Sequence, residues 1–219
     1  MSFRVIDRAE IVKWTRTLFE DESSLTGWRQ SLRVQICPFE NLLNRVPAGA
    51  DVLDIGCGGG LFLGLLSMRD PDIRAKGIDS SGSAIGCANR MAKRLERKGL
   101  TFQQSDRTND WPQEKHNLVS LIDILHHLTG NQPEVFFKEA ASRVAPGGWM
   151  LCKDMRKKPR WRAIANGVHD LIIAQQWIRH VDPRQVETWG RDSGLSLVNY
   201  EEWDRLWYGH AFWTFRRPK

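Results

Sequence analysis

Cysteine is scarce. The 219 residues hold four, Cys37, Cys57, Cys87 and Cys152, and no two of them form a CxxC pair. That spacing speaks against a disulfide framework and against a zinc site, so no metal is expected and reduced thiols in the cytoplasm are. Long apolar runs are missing as well. No stretch approaches the roughly 20 residues that a membrane-spanning helix needs. The N-terminal MSFRVIDRAEIVKW is charged throughout and lacks the apolar centre of a signal peptide. There is no internal repeat and no low-complexity linker. Two phosphate signatures also fail. The GxxxxGK[ST] loop is absent, and a G-x-G-x-x-G reading from Gly56 or Gly58 meets Leu61 or Leu63 where its third glycine belongs.

What remains is ordinary globular composition, 41% apolar and 26% charged, at a length that suits one larger domain. The net charge is +6, and basic residues concentrate in KDMRKKPRWR (153–162) and in the terminal RRPK. Such runs form either a solvated face or a docking face for RNA, an acidic carrier protein or an anionic surface. Ten tryptophans are many, and most follow position 148. They suit a core or a pocket for a flat, apolar molecule.

Apolar periodicity predicts helices over 7–20 and 28–44, the second broken near Pro38. Strands are expected at Asp51–Ile55, Ala75–Asp79, Thr101–Gln104, Leu118–Ile124 and Trp149–Lys153. The intervening helices are Gly60–Met68, Ser83–Lys98 and Gln132–Val144. Strands that are apolar throughout and separated by helices imply a parallel sheet covered on both faces. After the fifth strand come helices at Pro159–Arg179 and Pro183–Ser193, then two strands, Leu195–Tyr200 and Ala211–Phe215, paired antiparallel at the sheet edge. The expected fold is α/β: a doubly wound, mostly parallel sheet with an antiparallel edge strand. Residues 1–46 would form an N-terminal helical cap, and residues 47–219 the main domain, with a late helical insertion at about 156–194.

The chemistry concentrates at strand ends. V52-L-D-I-G-C-G-G-G60 satisfies D-x-G-x-G-x-G through Asp54, Gly56, Gly58 and Gly60. Glycines let the backbone take positive φ and pass close to a ligand. A carboxylate at Asp54 repels a pyrophosphate and favours a cation. Asp79, in GIDSS at the end of the second strand, can accept from the vicinal hydroxyls of a ribose. Asp106, in QQSD after the third, can accept from an exocyclic amine. One such acid is most often a cap or a turn residue. Three at successive strand ends on one edge point to a ligand.

These motifs, with SLIDILHHL after the fourth strand and VAPGGWML entering the fifth, resemble class I S-adenosylmethionine-dependent methyltransferases over about residues 50–155. The resemblance implies a seven-stranded sheet of order 3-2-1-4-5-7-6 with the seventh strand antiparallel. It implies S-adenosylmethionine as cofactor. Gly56, Cys57, Gly58 and Gly60 would line the methionine part, Cys57 as a small spacer. Asp54 would lie near the amino group, Asp79 with Ser80 at the ribose, and Asp106 with Ser105 or Arg107 at the adenine amine. Asp123 and Ile124 would follow the methionine end.

The acceptor is less defined. An Asn/Asp-Pro-Pro-aromatic motif, typical of enzymes of this fold that methylate nucleobase amines, is absent. DILHHL resembles small-molecule enzymes acting on quinone precursors, polyketides and lipids. His126 or His127 is the candidate base, with packing or loop capping as the alternative. His169 and His210 are weaker candidates, as are Trp28, Arg29 and Arg33 of the cap for contact with substrate or cofactor carboxylate. The expected activity is methyl transfer to oxygen or carbon of a small, aromatic or polyketide-like acceptor, free or on an acidic carrier protein. The alternatives are an RNA or protein methyltransferase and a non-catalytic module of the same fold.

Overall fold

In β1, Asp51–Ile55, every residue after the first is buried, as a strand covered on both faces requires. The computed structural model describes residues 6–22, 24–156, 181–206 and 208–219. Its seven strands run in the order β3-β2-β1-β4-β5-β7-β6, the order that the sequence motifs imply. The chain divides into two compact units, Met1–Trp111 and Pro112–Lys219.

In the first unit, β1 pairs in parallel with β2 (Arg74–Asp79), and β2 with β3 (Leu100–Gln104). Helix α1 (Arg8–Leu18) starts at Asp7, whose carboxylate accepts from Glu10 N–H at 2.9 Å. The predicted 28–44 helix is two helices, α2 (Ser24–Ile36) and α3 (Phe39–Leu43), because Pro38 interrupts the backbone ladder. Helix α4 (Leu61–Arg69) reads LFLGLLSMR, and its residues 61–67 are all buried. A helix apolar all round needs cover on every side. Gly64 lies so close to Leu18 of α1 and Met91 of α5 (Gly82–Arg94) that a Cβ there would stand 3.1 and 2.6 Å from them. Helix α5 ends at Arg94 rather than Lys98, because Glu96 turns to a positive φ of 53°.

In the second unit, β4 (His116–Ile122) pairs in parallel with β5 (Val144–Met155), joined by α6 (Gln132–Ser142). Helix α7 (Pro183–Asp192) has Asp182 as its cap and Pro183 in its first turn. Strand β7 (Tyr208–Arg216) lies antiparallel to both β5 and β6 (Ser196–Arg205). Tyr208, Phe212, Trp213 and Phe215 of β7 are buried in the core. Strand β4 stops two residues short of its predicted end, because Asp123 adopts φ 56° and a 3-10 turn follows over Leu125–His127. The predicted helix Pro159–Arg179 lies outside the described residues. Among the described residues, no helix is long and apolar enough to cross a membrane.

Candidate active site

The first unit supplies a cradle. Between β1 and α4, Gly56, Gly58 and Gly60 take φ of 81°, 55° and 79°, a conformation that costs other residues about 1–2 kcal/mol each. The amides of Gly56 and Cys57 both donate to Ile78 O, at 2.7 and 3.0 Å, fastening the turn to β2. Asp79 links the turn to α5. Its Oδ2 accepts from Gly58 N–H at 2.8 Å and its Oδ1 from Ser81 N–H at 2.9 Å. A carboxylate has about four acceptor positions, so each oxygen keeps capacity for a ligand hydroxyl.

Asp54 is buried in β1, at 2% exposure. Cys57 is buried too. Burial first, then the carboxylates of Asp54 and Asp79, push its thiol far above the ordinary range, so it stays protonated. Ser105 N–H donates to Asp79 O, and Ser105 Oγ donates to Arg107 O, both at 2.9 Å. Ser80, Asp106 and Arg107 lie exposed beside them. Of the cap residues named from sequence, Trp28 is 52% exposed and Arg29 is exposed. Arg33 does reach the turn: a Cβ built on Gly58 would stand 3.3 Å from its Nη1. Left-handed glycines flanked by two carboxylates form a cradle for hydroxyl and ammonium donors and repel phosphate. This donor set fits S-adenosylmethionine.

The second unit gathers a buried charged cluster. Asp123 donates its backbone N–H to Lys153 O at 2.8 Å, and its Oδ1 lies 2.5 Å from Lys153 Nζ. His126 Nδ1 lies 2.5 Å from Asp154 Oδ1, and His126 N–H donates to Asp154 Oδ2 at 3.2 Å. Met155 N–H also donates to Asp154 Oδ1, at 2.7 Å. His126, Lys153 and Asp154 are each at most 2% exposed. The Lys153 ammonium offsets one carboxylate and the hydrogen-bonded His126 imidazole partners the other, which is how buried charge is tolerated. Asp123, His126 and Asp154 bring ligand atoms within 4.8 Å of one another, as a metal ion would require. Lys153 Nζ already supplies the cation at Asp123.

Burial by itself pushes the His126 imidazole down. The charge and hydrogen bond of Asp154, with Asp123, outweigh it and hold the group above its ordinary value of 6.5. With Nδ1–H assigned to Asp154, Nε2 is left as the basic nitrogen. His127 is exposed, its ring centroid 4.0 Å from that of His126. Ile124 begins the 3-10 turn between Asp123 and His126. His210 is buried in β7, stacked on Tyr208. His169 lies outside the described residues.

Sequence reasoning missed Lys153 and Asp154. KDMRKKPRWR reads as a basic surface, yet Lys153 is buried against Asp123, and Arg156 pairs with Glu202 and, at 2.5 Å, with Asp204. The available signal was position: Lys153 and Asp154 end an apolar strand beside the fourth-strand acid.

Comparison with known proteins agrees with this geometry. A methyltransferase-domain family model matches residues 29–200. The ubiquinone biosynthesis O-methyltransferase of Pseudomonas savastanoi pv. phaseolicola is 22% identical over 162 residues, covering 68% of this chain and 66% of the relative, just under two thirds of its length. Its counterpart in Pseudomonas syringae pv. tomato is 22% identical over 207 residues, covering 88% of this chain and 84% of the relative. Two solved structures share the fold at 16% identity. An O-methyltransferase family protein from Burkholderia thailandensis has a TM-score of 0.72 over 96% of this chain and 67% of that one. Magnesium protoporphyrin IX methyltransferase from Synechocystis PCC 6803, with bound S-adenosylhomocysteine, has a TM-score of 0.70 over 96% and 95%. The strand order, the carboxylate-flanked glycine turn and a family match over most of the sequence lead to one conclusion: the chain belongs to the class I S-adenosylmethionine-dependent methyltransferases.

Proposed function

We propose that this chain methylates a hydroxyl oxygen of a small aromatic acceptor, with His126 as the base. The His126–Asp154 pair carries the reading. A phenolic oxygen must lose its proton to become a good nucleophile, whereas a neutral amine needs no such help. Asp154 fixes the imidazole and leaves Nε2 to take the proton. The names of the curated relatives, which act in ubiquinone biosynthesis, support oxygen as the target.

When bound, S-adenosylmethionine supplies an electrophilic methyl group. Gly56, Gly58 and Gly60 accommodate its methionine part, with Asp54 near the amino group. Asp79 takes the ribose hydroxyls, and Ser105 and Asp106 the adenine side. Helices α1–α3 serve as the cap. His126 would accept the proton of the acceptor hydroxyl, leaving the oxygen to take the methyl group that the cofactor would supply, with S-adenosylhomocysteine and a methyl ether as products. Alignment of the partners contributes about 7–11 kcal/mol and the base a factor of about 10²–10⁴.

Lys153 and Arg156 are engaged by Asp123, Glu202 and Asp204, which leaves these two less available to an acidic carrier or RNA. This favours a free small molecule. The four cysteines are free thiols, which suits the cytoplasm. Incubation with methyl-labelled cofactor and separate pools of catechols, other phenols, acyl carrier conjugates and bulk RNA tests the assignment. Label is expected in the phenolic pools as an acid-stable methyl ether. Label confined to RNA or to a carbon position contradicts it.

A further inference from the structure

Helix α2 lays two polar side chains over the glycine turn. Gln30 and Arg33 are three residues apart and share one face of the helix. A Cβ built on Gly59 would stand 2.8 Å from Gln30 Nε2, and one on Gly58 would stand 3.3 Å from Arg33 Nη1. Two adjacent glycines thus face two polar side chains of one helix, three residues apart. Gln30 is 8% exposed, and its Oε1 is buried with no hydrogen-bond partner among the described residues. Buried amide oxygens are nearly always bonded, and leaving one bare is costly. Leucine or methionine would fill this space without that cost, so the glutamine suits a donor that a ligand brings.

The chemistry of the cofactor selects the donor. Its N–H and O–H donors are the adenine amine, the two ribose hydroxyls and the α-ammonium. Asp106 and Asp79 face the first two, which leaves the ammonium for the turn. Ammonium and carboxylate share one carbon in the amino-acid end, so the groups that recognise them must be neighbours. Side chains at i and i+3 on a helix are neighbours, with Cβ atoms about 5–6 Å apart. We propose that Gln30 is a cofactor-binding residue: its Oε1 accepts a hydrogen bond from the α-ammonium of S-adenosylmethionine, beside Arg33 at the α-carboxylate. The proposal rests on the cofactor assignment and makes α2 part of the binding site rather than a cover for it.

Calorimetry with two probes separates this role from a structural one. S-adenosylhomocysteine carries the amino-acid end, and 5′-methylthioadenosine stops at the sulfur. Gln30→Met keeps the volume and the helix propensity while removing the acceptor. For this variant, Kd for S-adenosylhomocysteine should rise roughly tenfold to a hundredfold, as for a lost bond to a charged group. Its Kd for 5′-methylthioadenosine should be unchanged, and its unliganded melting temperature should be equal to the parent's or higher, because methionine removes a bare buried amide. Gln30→Glu, which retains an acceptor, should bind S-adenosylhomocysteine as the parent does. Equal weakening of both probes, undiminished binding of S-adenosylhomocysteine, or a lowered unliganded melting temperature with both affinities kept would overturn the proposal. A parent chain that bound neither probe would contradict the cofactor assignment instead.

Discussion

In the proposed mechanism the chemistry turns on His126, and its environment makes a prediction about pH. Burial disfavours the imidazolium, but Asp154 and Asp123 more than compensate, so the group titrates above 6.5. A base works deprotonated, so the rate should climb with pH through that raised value. Asp154→Asn removes the largest of the influences that raise it and leaves burial to act. The rising limb of the pH–rate profile should then move to lower pH while the plateau falls. A limb that stays in place would dissociate Asp154 from the base. Linkage fixes the matching stability trend. A histidine whose folded pKa is raised stabilises fully below its unfolded value near 6.5, and that contribution disappears as pH rises through the folded value. Asp154 was not legible as a partner, because the contact joins residues 28 apart and depends on a left-handed Asp123. Lys153 was misread for the same reason. A lysine at the head of a basic run looks solvated until Asp123, 30 residues earlier, is placed against it.

At the scale of elements, the β1 turn into α4 was almost fully legible. Its glycines alternate because the backbone turns left-handed at Gly56, Gly58 and Gly60, and D-x-G-x-G-x-G records that directly. Gly60 shows how little freedom remains. A Cβ there would lie 2.9 Å from Phe102 and 3.0 Å from Ala88 and Met91. Gly60→Ala should cost about 2–4 kcal/mol from backbone strain and overpacking combined. Thermal denaturation should show a Tm lower by roughly 5–15 °C; an unchanged Tm would mean that the turn relaxes freely. Element ends were less legible than elements. Helix α5 and strand β4 both stop where a non-glycine residue, Glu96 or Asp123, takes positive φ, and no residue type announces that. Helices α1 and α2 were visible as periodicity, but nothing in their pattern marked α2 as a neighbour of the glycine turn.

For the whole molecule, the strand order β3-β2-β1-β4-β5-β7-β6 was readable because each strand end carried its own motif in sequence order. Net charge is less specific. A surplus of +6 fits a solvated face or an acidic partner, and two residues of the basic run, Lys153 and Arg156, are held by internal carboxylates. Charge counts describe a surface only after burial is known. In the proposed mechanism one folded chain holds the methyl donor and uses His126 to activate an acceptor hydroxyl. The most direct measurement is kcat for methyl transfer to a phenolic acceptor by the parent chain and by His126→Gln, with S-adenosylhomocysteine affinity measured in parallel. The predicted result is a loss in kcat of about 10²–10⁴-fold with cofactor affinity held within about twofold. A His126→Gln enzyme that turns over at the parent rate would contradict the account.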